Sequence, residues 1–286
     1  MSGALHPPLD VEADLPQIRG DGTPAAHWRA SVALAKVACV DVDELLGDAT
    51  RLVVVAPHPD DETLGTGALI AACAARGLPI QVLSLTRGEA SHPESTAWTP
   101  STLGVARLAE QREALRRLGA SGALVEEAGL PDGAVAAAEG RAADFLAQRI
   151  SPSDLVLVTW RSDGHPDHEA AGRAAAAACA RQGARLIEYP VWAWHWASPQ
   201  DERLPWARMR RLRPDPGAVS AKADALLAFR SQLEPDGGRA PILPSHVLER
   251  FDHAPETFIV PSTAGRQDAS GGAAPRGRGS AARAAG

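Results

Sequence analysis

Two short clusters of histidine and carboxylate residues carry the groups in this sequence best suited to chemistry. One is residues 56–62, APHPDDE, and the other is residues 163–168, DGHPDH. Imidazole nitrogens and carboxylate oxygens are ligands for Zn²⁺, and a carboxylate that is not bound to the metal can accept a proton. The clusters therefore predict a metal site with a general base beside it.

Counting ligands gives the groups in these clusters different roles. A catalytic Zn²⁺ takes three protein ligands and leaves a further position open. The two clusters supply such a set in His58, Asp61 and His168. Asp60 is predicted to be the base that accepts a proton from a water activated by the metal. His165 is left to stabilise an oxyanion or to protonate a leaving amine, with Asp167 holding its other ring nitrogen.

The elements that must position these clusters can be predicted from the pattern around them. Strand candidates are residues 52–56, 80–86, 123–126, 155–160 and 185–194, and helical patterns alternate with them at 62–76, 103–118, 139–150 and 168–181. Such alternation predicts an α/β fold of three layers with a mostly parallel sheet. Each cluster follows a Val- and Leu-rich strand, at the edge where open α/β sheets bind ligands. If the two strands are neighbours, both clusters face one crevice.

The ends of the chain differ in composition from its centre. Residues 1–45 are predicted to be an N-terminal extension packed on the core, and residues 46–261 the catalytic domain, with further helices at 220–230 and 245–251 and a strand at 257–260. Residues 262–286 consist mainly of Gly, Ala, Ser and Arg, so a disordered tail is predicted.

Charge and composition exclude several classes of function. The net charge of −6 disfavours nucleic acid as a partner. No apolar run is long enough to span a membrane and no signal peptide is visible, so a cytoplasmic protein is expected. Cys39, Cys73 and Cys179 are scattered through Ala- and Val-rich helical patterns, which predicts small buried residues rather than a metal site or disulfides.

The two clusters resemble the signature motifs of the PIG-L/LmbE-like family of zinc-dependent N-deacetylases, and Arg107-x-x-Glu110 is similar to that family as well. The resemblance extends over residues 51–189. It implies a Rossmann-like sandwich and removal of an N-acyl group from an amino sugar such as an N-acetylglucosaminyl conjugate. It also implies the same metal ligands as ligand counting does, with Zn²⁺ or another divalent metal, Asp60 as base, and His165 paired with Asp167.

Substrate contacts are predicted in two further loops. Arg87, Glu89 and His92 follow the second strand candidate, and Arg161 precedes the second cluster, so each is a candidate contact to a sugar or an anionic group. Trp192, Trp194 and Trp196 alternate as they would on one face of a strand, which favours packing with one indole at the pocket rim.

Two other functions stay open at this point. The first is a non-catalytic sugar- or nucleotide-binding protein that retains the fold. The second is a metal-dependent phosphoesterase, which calls for more cationic groups at the crevice. The expected partner is a small molecule, without nucleic acid or a membrane span, and a homo-oligomer is compatible with the sequence.

Overall fold

One eight-stranded sheet runs through the part of the chain that the computed structural model describes, residues 18, 20–213, 215–252 and 255–261. Its strands are β1 (Cys39–Val40), β2 (Arg51–Ala56), β3 (Ile80–Ser84), β4 (Leu124–Glu127), β5 (Asp154–Thr159), β6 (Arg185–Tyr189), β7 (Met209–Leu212) and β8 (Thr257–Ile259). They lie in the order β1-β7-β8-β6-β5-β2-β3-β4. Only β8 pairs antiparallel with its neighbours, so the predicted mostly parallel sheet is confirmed.

Helices cover both faces of this sheet. They are α1 (Ala25–Arg29), α2 (Val32–Lys36), α3 (Val42–Leu46), α4 (Asp61–Ala75), α5 (Pro100–Arg117), α6 (Glu139–Ala147), α7 (Pro166–Gln182), α8 (Ala193–Trp196), α9 (Pro216–Leu226), α10 (Arg230–Leu233) and α11 (Ser245–Asp252). Helices α4, α5 and α9 pack together against one face, and α6 and α7 against the other. The three-layer α/β fold predicted from the sequence is therefore confirmed.

The central strands are fully buried because both of their faces meet helices. Val53 and Val55 of β2 point into the apolar cluster beneath α6 and α7, whereas Leu52 and Val54 point into the cluster beneath α4 and α9. Alternate residues of β2 thus pack into two different apolar clusters, one on each face of the sheet. Residues 52–56 of the strand are therefore all apolar, instead of every second one. The site lies at the carboxyl end of this rigid centre.

A buried ion pair from outside helix α4, formed by Lys222 of α9 and Glu256 just before β8, is hydrogen-bonded to the backbone of α4. Glu256 accepts hydrogen bonds from the backbone N–H groups of Ala68 (2.7 Å) and Leu69 (2.9 Å), and Lys222 donates to the carbonyl oxygen of Leu64 (2.7 Å). Lys222 and Glu256 also contact each other at 2.9 Å and are both buried. The pair thus satisfies three backbone groups within residues 64–69 of α4, the helix that begins at the predicted metal ligand Asp61.

Several predicted elements differ from those observed. Residues 185–194 form a strand only as far as Tyr189, and Trp194 and Trp196 lie in helix α8, so the tryptophan stripe on a strand face is wrong. The short strands β1 and β7 were not predicted. Cys39 lies exposed in β1 rather than in a helix, whereas Cys73 and Cys179 are buried in helices as expected.

The two ends of the chain are described only in part. Of the predicted N-terminal extension, residues 20–45 contribute α1, α2, β1 and most of α3, and Trp28 is buried in a cluster with Ala193 and Met209. The predicted disordered tail lies outside the described residues, and the domain boundaries stay a prediction.

Within the described ranges, none of the helices has the length and apolar character needed to cross a membrane.

Candidate metal centre and active site

The two clusters meet where the strand order of the sheet reverses. Strand β2 lies between β3 and β5, and its partner β5 pairs with it in parallel along its whole length. The chain leaves β2 into residues 57–60 and leaves β5 into residues 160–165, so both loops emerge side by side at the carboxyl edge. A reversal point of this kind is where doubly wound sheets form their ligand crevice. The expectation that the two strands are neighbours is confirmed.

Three ligand atoms from these loops form a nearly equilateral triangle. Asp61 Oδ2 lies 3.2 Å from His58 Nδ1 and 3.3 Å from His168 Nε2, and the two ring nitrogens are 3.3 Å apart. Zn²⁺ ligands about 2.0 Å from a tetrahedral centre are separated by about 3.3 Å. The triangle therefore fits three corners of a tetrahedral divalent-metal site, which agrees with the ligand set predicted from the sequence.

A buried carboxylate orients the first of the two imidazoles, that of His168. Asp163 Oδ2 lies 2.8 Å from His168 Nδ1, so the nitrogen that faces the triangle is Nε2. Asp163 is in turn fixed by the backbone N–H groups of Val191, Trp192 and Ala193 at 2.9–3.0 Å. Burial disfavours the charged ring, but Asp61 and Asp163 outweigh it and raise the pKa of His168 to about 9. Carboxylates placed in this way set the ring orientation of metal-bound histidines.

The second imidazole, that of His58, is oriented in the same manner from a different loop. Its Nε2 lies 3.1 Å from Asp132 Oδ1 and 3.3 Å from Asp167 Oδ2, which leaves Nδ1 facing the triangle. Asp167 also accepts hydrogen bonds from the backbone N–H groups of Gly133 (2.8 Å) and Val135 (3.0 Å). The loop that follows β4 is thereby tied to the second cluster.

Asp60, the predicted base, stands in an unusual backbone conformation beside the triangle. Its φ of 141° lies in the positive range that residues other than glycine rarely adopt. Arg107 of α5 donates to its carboxylate at 2.9 Å and to the carbonyl oxygens of Pro59 and Gly88 at 3.0 and 2.9 Å. Burial raises the pKa of Asp60 to about 7, while Arg107 acts to lower it. A carboxyl group with that pKa can both take up and release a proton near neutral pH.

Glu62 has a supporting position rather than one in the triangle. Its carboxylate accepts hydrogen bonds from Gln111 Nε2 (3.0 Å), from the backbone N–H of Asp60 (3.2 Å) and from Thr63 Oγ1 (2.9 Å). Gln111 accepts in turn from Ser84 of β3 at 2.9 Å. Burial raises the pKa of Glu62. The loop that carries Asp60 is thus held from below by a buried polar network.

His165 lies against the triangle, but its surroundings differ from those predicted. Its Nδ1 accepts the backbone N–H of Asp167 at 3.2 Å, and the Asp167 carboxylate contacts His58 instead. The predicted pairing of the His165 ring with that carboxylate is therefore wrong. Burial, reinforced by His168 and His58, lowers the pKa of His165 to about 3. The ring is neutral with its proton on Nε2, because Nδ1 acts as an acceptor.

The four predicted substrate contacts bind other parts of the protein. Arg87 pairs with Glu127 at 2.8 Å and Arg161 with Glu188 at 2.7 Å. Glu89 accepts the backbone N–H groups of Arg87 and Asp132 at 3.1 Å, and His92 Nδ1 lies 2.9 Å from Ser91 Oγ. None of the four lines the cavity at the site. Their placement on the correct edge of the sheet was predicted, but their side chains satisfy local loop contacts.

A cavity of about 320 Å³ opens at the triangle. His58, Asp60, Asp61, Asp132 and His165 line its polar side. Its apolar lining includes Leu64, Val191, Trp192, Leu243, Val247 and Phe251, and the polar side chains of Arg107, His195, Gln232 and Arg250 line it as well. Tyr189 is not part of this lining: its ring packs on Gly65, and its hydroxyl donates to the carbonyl oxygen of Val55 at 3.2 Å. These contacts disfavour a role for this tyrosine at an oxyanion.

Four residues that shape the site were given no role from the sequence. Asp132 stands in a Leu-Pro-Asp-Gly turn, where its position after a strand of the same sheet was the available signal. Asp163 begins the second cluster, and its proximity to His168 in sequence could have suggested an orienting role. Arg107 and Gln111 lie one helical turn apart on α5, so the spacing predicts one shared face, but not which carboxylates that face meets.

A family model provides an independent comparison. The PIG-L family, described as GlcNAc-PI de-N-acetylase, matches residues 53–179, which contain both clusters. We call residues 53–179, the part that matches this family model, the PIG-L core. The family resemblance predicted from the motifs is therefore confirmed, and the PIG-L core includes every ligand of the triangle.

Two curated relatives match this chain over stretches longer than the PIG-L core. A protein of Rhodococcus erythropolis is 30% identical over 184 residues, covering 54% of this chain and 61% of the relative. One of Streptomyces griseus is 33% identical over 206 residues, covering 63% and 62%. Both are named 1D-myo-inositol 2-acetamido-2-deoxy-alpha-D-glucopyranoside deacetylase. The chain thus spans less than two thirds of the length of these relatives.

Solved structures share the fold around the PIG-L core. A conserved protein of Thermus thermophilus aligns with a TM-score of 0.51 at 26% identity, covering 74% of this chain and 95% of that one. A deacetylase from the teicoplanin biosynthesis pathway aligns with a TM-score of 0.56 at 21% identity, covering 73% and 97%. The second likeness concerns the fold alone.

Proposed function

We propose that this chain is a Zn²⁺-dependent deacetylase that hydrolyses the N-acyl amide of a small amino-sugar conjugate of the N-acetylglucosaminyl type. The observation that carries the proposal is the triangle of ligand atoms with the Asp60 carboxyl group beside it, at the mouth of one cavity. The PIG-L core and the names of the curated relatives support the choice of an N-acetyl amino sugar. A cytoplasmic location and a small-molecule partner are proposed with it.

The metal would be held by His58, Asp61 and His168. When bound, a divalent cation supplies a positive charge that polarises the amide carbonyl and lowers the pKa of water. The chain's own contribution is to fix the donors: Asp163 holds the ring of His168, and Asp132 and Asp167 hold that of His58. Both imidazoles are therefore presented without having to reorganise.

Asp60 is proposed to accept the proton of the attacking water. Its carboxylate is kept beside the triangle by Arg107, and its pKa near 7 leaves it substantially ionised at neutral pH. The water oxygen then bonds to the acyl carbon. As the carbon–nitrogen bond breaks, the protonated Asp60 returns its proton to the nitrogen, so that amine and carboxylate are released.

His165 is proposed to donate a hydrogen bond to the oxyanion rather than to act as an imidazolium. Since its Nδ1 accepts the backbone N–H of Asp167, the Nε2–H is left as the donor that can face the cavity. A neutral donor of fixed orientation stabilises the charge that develops on the carbonyl oxygen.

The test measures acetate released from N-acetylglucosaminyl conjugates, with the protein treated with chelator and then reloaded with Zn²⁺. We expect chelator to abolish release and Zn²⁺ to restore it. Asp60→Ala should retain the metal and lose about 10²–10⁴-fold in turnover, whereas His58→Ala should lose both. Asp48→Ala, whose side chain is 98% exposed, is the matched control and should behave as wild type.

Two outcomes would contradict the proposal. Release that is insensitive to chelator would refute the metal mechanism. Equal turnover in Asp60→Ala and wild type would refute the assignment of the base, whatever the metal content.

A further inference from the structure

The cavity beside the triangle is divided into a polar and an apolar side, and the apolar side begins at the reacting groups themselves. Leu64 lies one turn after Asp60 on α4, where its backbone N–H donates to the carbonyl oxygen of Asp60 at 2.8 Å. The Trp192 ring stacks on that of His165 with centroids 6.5 Å apart and planes inclined by 20°. An acyl carbon placed between Asp60 and His165 therefore has apolar side chains as its neighbours.

This apolar surface continues away from the triangle along α11 and the segment before it. Leu243, Val247 and Phe251 line the cavity and are each 5–6% exposed. Val247 and Phe251 are four residues apart, so they present one face of α11. Phe251 and Val247 also belong to the large core cluster beneath α4 and α9, which fixes the far wall to the body of the protein.

Two polar side chains beside this apolar surface, Arg250 and Gln232, make hydrogen bonds within the protein. Arg250 donates to the carbonyl oxygens of Thr23 (2.8 Å) and Asp21 and lies 3.1 Å from His195 Nδ1. Gln232 donates from Nε2 to Ser231 at 3.0 Å. A sugar ring placed here would bury hydroxyl groups against apolar carbon, and each unpaired hydroxyl weakens binding by roughly 5–150-fold.

We propose that this chain accepts acyl groups longer than acetyl as well and prefers them, with a linear chain of several methylenes lying against Leu64, Trp192, Leu243, Val247 and Phe251. The proposal rests on the proposed function and deepens it by naming the acyl class. The amine portion of the substrate then lies on the opposite side, toward Ser91, Asp132 and Gly133.

The test compares kcat/KM for a homologous series, N-acetyl-, N-butanoyl-, N-hexanoyl- and N-octanoyl-glucosamine, with the Zn²⁺-loaded full chain. Each methylene that becomes buried should raise kcat/KM by about fourfold until the cavity is filled. Binding an acyl chain equally in the ground and transition states raises kcat/KM in this way.

Variants of the far wall give the series a structural control. Val247→Phe shortens the cavity and should lower the hexanoyl-to-acetyl ratio of kcat/KM, whereas Val247→Ala should move the optimum to a longer chain. Val32→Phe is the matched control, because Val32 is 67% exposed on α2. It should leave the ratio unchanged. The wild-type series decides the matter even if a Val247 variant fails to fold.

The outcomes separate the two proposals. A rise with chain length that Val247→Phe flattens supports the acyl pocket. Hydrolysis of the acetyl compound with no gain, or with a loss, for the longer chains overturns the pocket and leaves the proposed function standing. The absence of hydrolysis for every amide in the series, with Zn²⁺ bound, overturns both.

Discussion

The buried ion pair of Lys222 and Glu256, which is hydrogen-bonded to the backbone of helix α4, allows a quantitative test of the fold around the site. Their side chains are only 6% and 2% exposed, and their charged groups are 2.9 Å apart. Lys222→Met leaves the Glu256 carboxylate with two backbone donors and no countercharge, and it removes the donor to the carbonyl oxygen of Leu64. Removing one partner of a buried pair lowers the free energy of unfolding by about 3–5 kcal/mol.

The companion variant Glu256→Gln should be damaged in a similar way. It leaves a buried ammonium group without its partner, and its amide nitrogen faces the N–H groups of Ala68 or Leu69. The double variant carries neither charge. If the two single losses were independent they would sum to about 6–10 kcal/mol, but we expect the double variant to lose only about 3–5 kcal/mol. The expected coupling between the two side chains is therefore about 3 kcal/mol or more.

The assay is equilibrium unfolding in urea, followed by circular dichroism, for wild type, both single variants and the double variant. The control cycle uses Arg230→Met and Glu234→Gln, an exposed pair whose side chains are 74% and 58% accessible at 2.8 Å. That cycle should give a coupling of about 0.3–0.5 kcal/mol. Losses at Lys222 and Glu256 that add to within about 0.5 kcal/mol would show that the pair is not a coupled unit, and the reasoning would be refuted.

Three further predictions concern the residues around the triangle. Asp163→Ala should weaken Zn²⁺ binding by about 10–100-fold, measured by calorimetric titration, because the ring of His168 loses its orienting partner; unchanged affinity would contradict this role. Arg107→Met removes the cation that lowers the pKa of Asp60, so the acid limb of the kcat/KM profile should move to higher pH; a shift to lower pH would oppose the assignment. Asp60→Gly should unfold at a higher temperature than Asp60→Ala, since a positive φ costs a non-glycine residue about 1–3 kcal/mol, and equal melting temperatures would argue against backbone strain.

Local signals in the sequence predicted the central sheet and named the three residues that the structure brings together in the triangle. The apolar runs of β2 and β5 report burial on two faces, and each is followed directly by its cluster. Gly77, Gly119 and Gly183 follow helical patterns in the sequence, and they have positive φ values of 69°, 76° and 72°, as glycines that end helices do. For the predicted ligands to come together, it was then enough that β2 and β5 are neighbouring strands.

The parts that failed depend on contacts between distant segments. Strand β7 reads Met-Arg-Arg-Leu, and it is the backbone of β1 and β8 that makes it a strand. The tryptophan stripe was assigned to a strand because its period is two. In the structure the Asp163 carboxylate accepts hydrogen bonds from the backbone N–H groups of residues 191–193, so the chain turns there. The local sequence of residues 191–193 gives no sign of these hydrogen bonds.

Substrate contacts were the least predictable because a loop's position does not fix its side chains. Arg87 and Arg161 follow the correct strands, yet each meets a carboxylate on an adjacent strand before it reaches the cavity. The apolar wall formed by Leu243, Val247 and Phe251 comes from a segment far along the chain, whose pattern indicates only an ordinary packed helix.

The backbone of Asp60 sets stability and activity against each other at a single position. At a φ of 141° glycine is the residue the fold would accept with least strain, whereas the proposed chemistry needs a carboxylate there. Among replacements of Asp60, selection for heat resistance alone would therefore favour an inactive glycine, although that variant still leaves the buried Arg107 without its carboxylate partner. Thermostable versions that keep turnover must gain their stability elsewhere, and any selection for them has to score product release together with survival at high temperature.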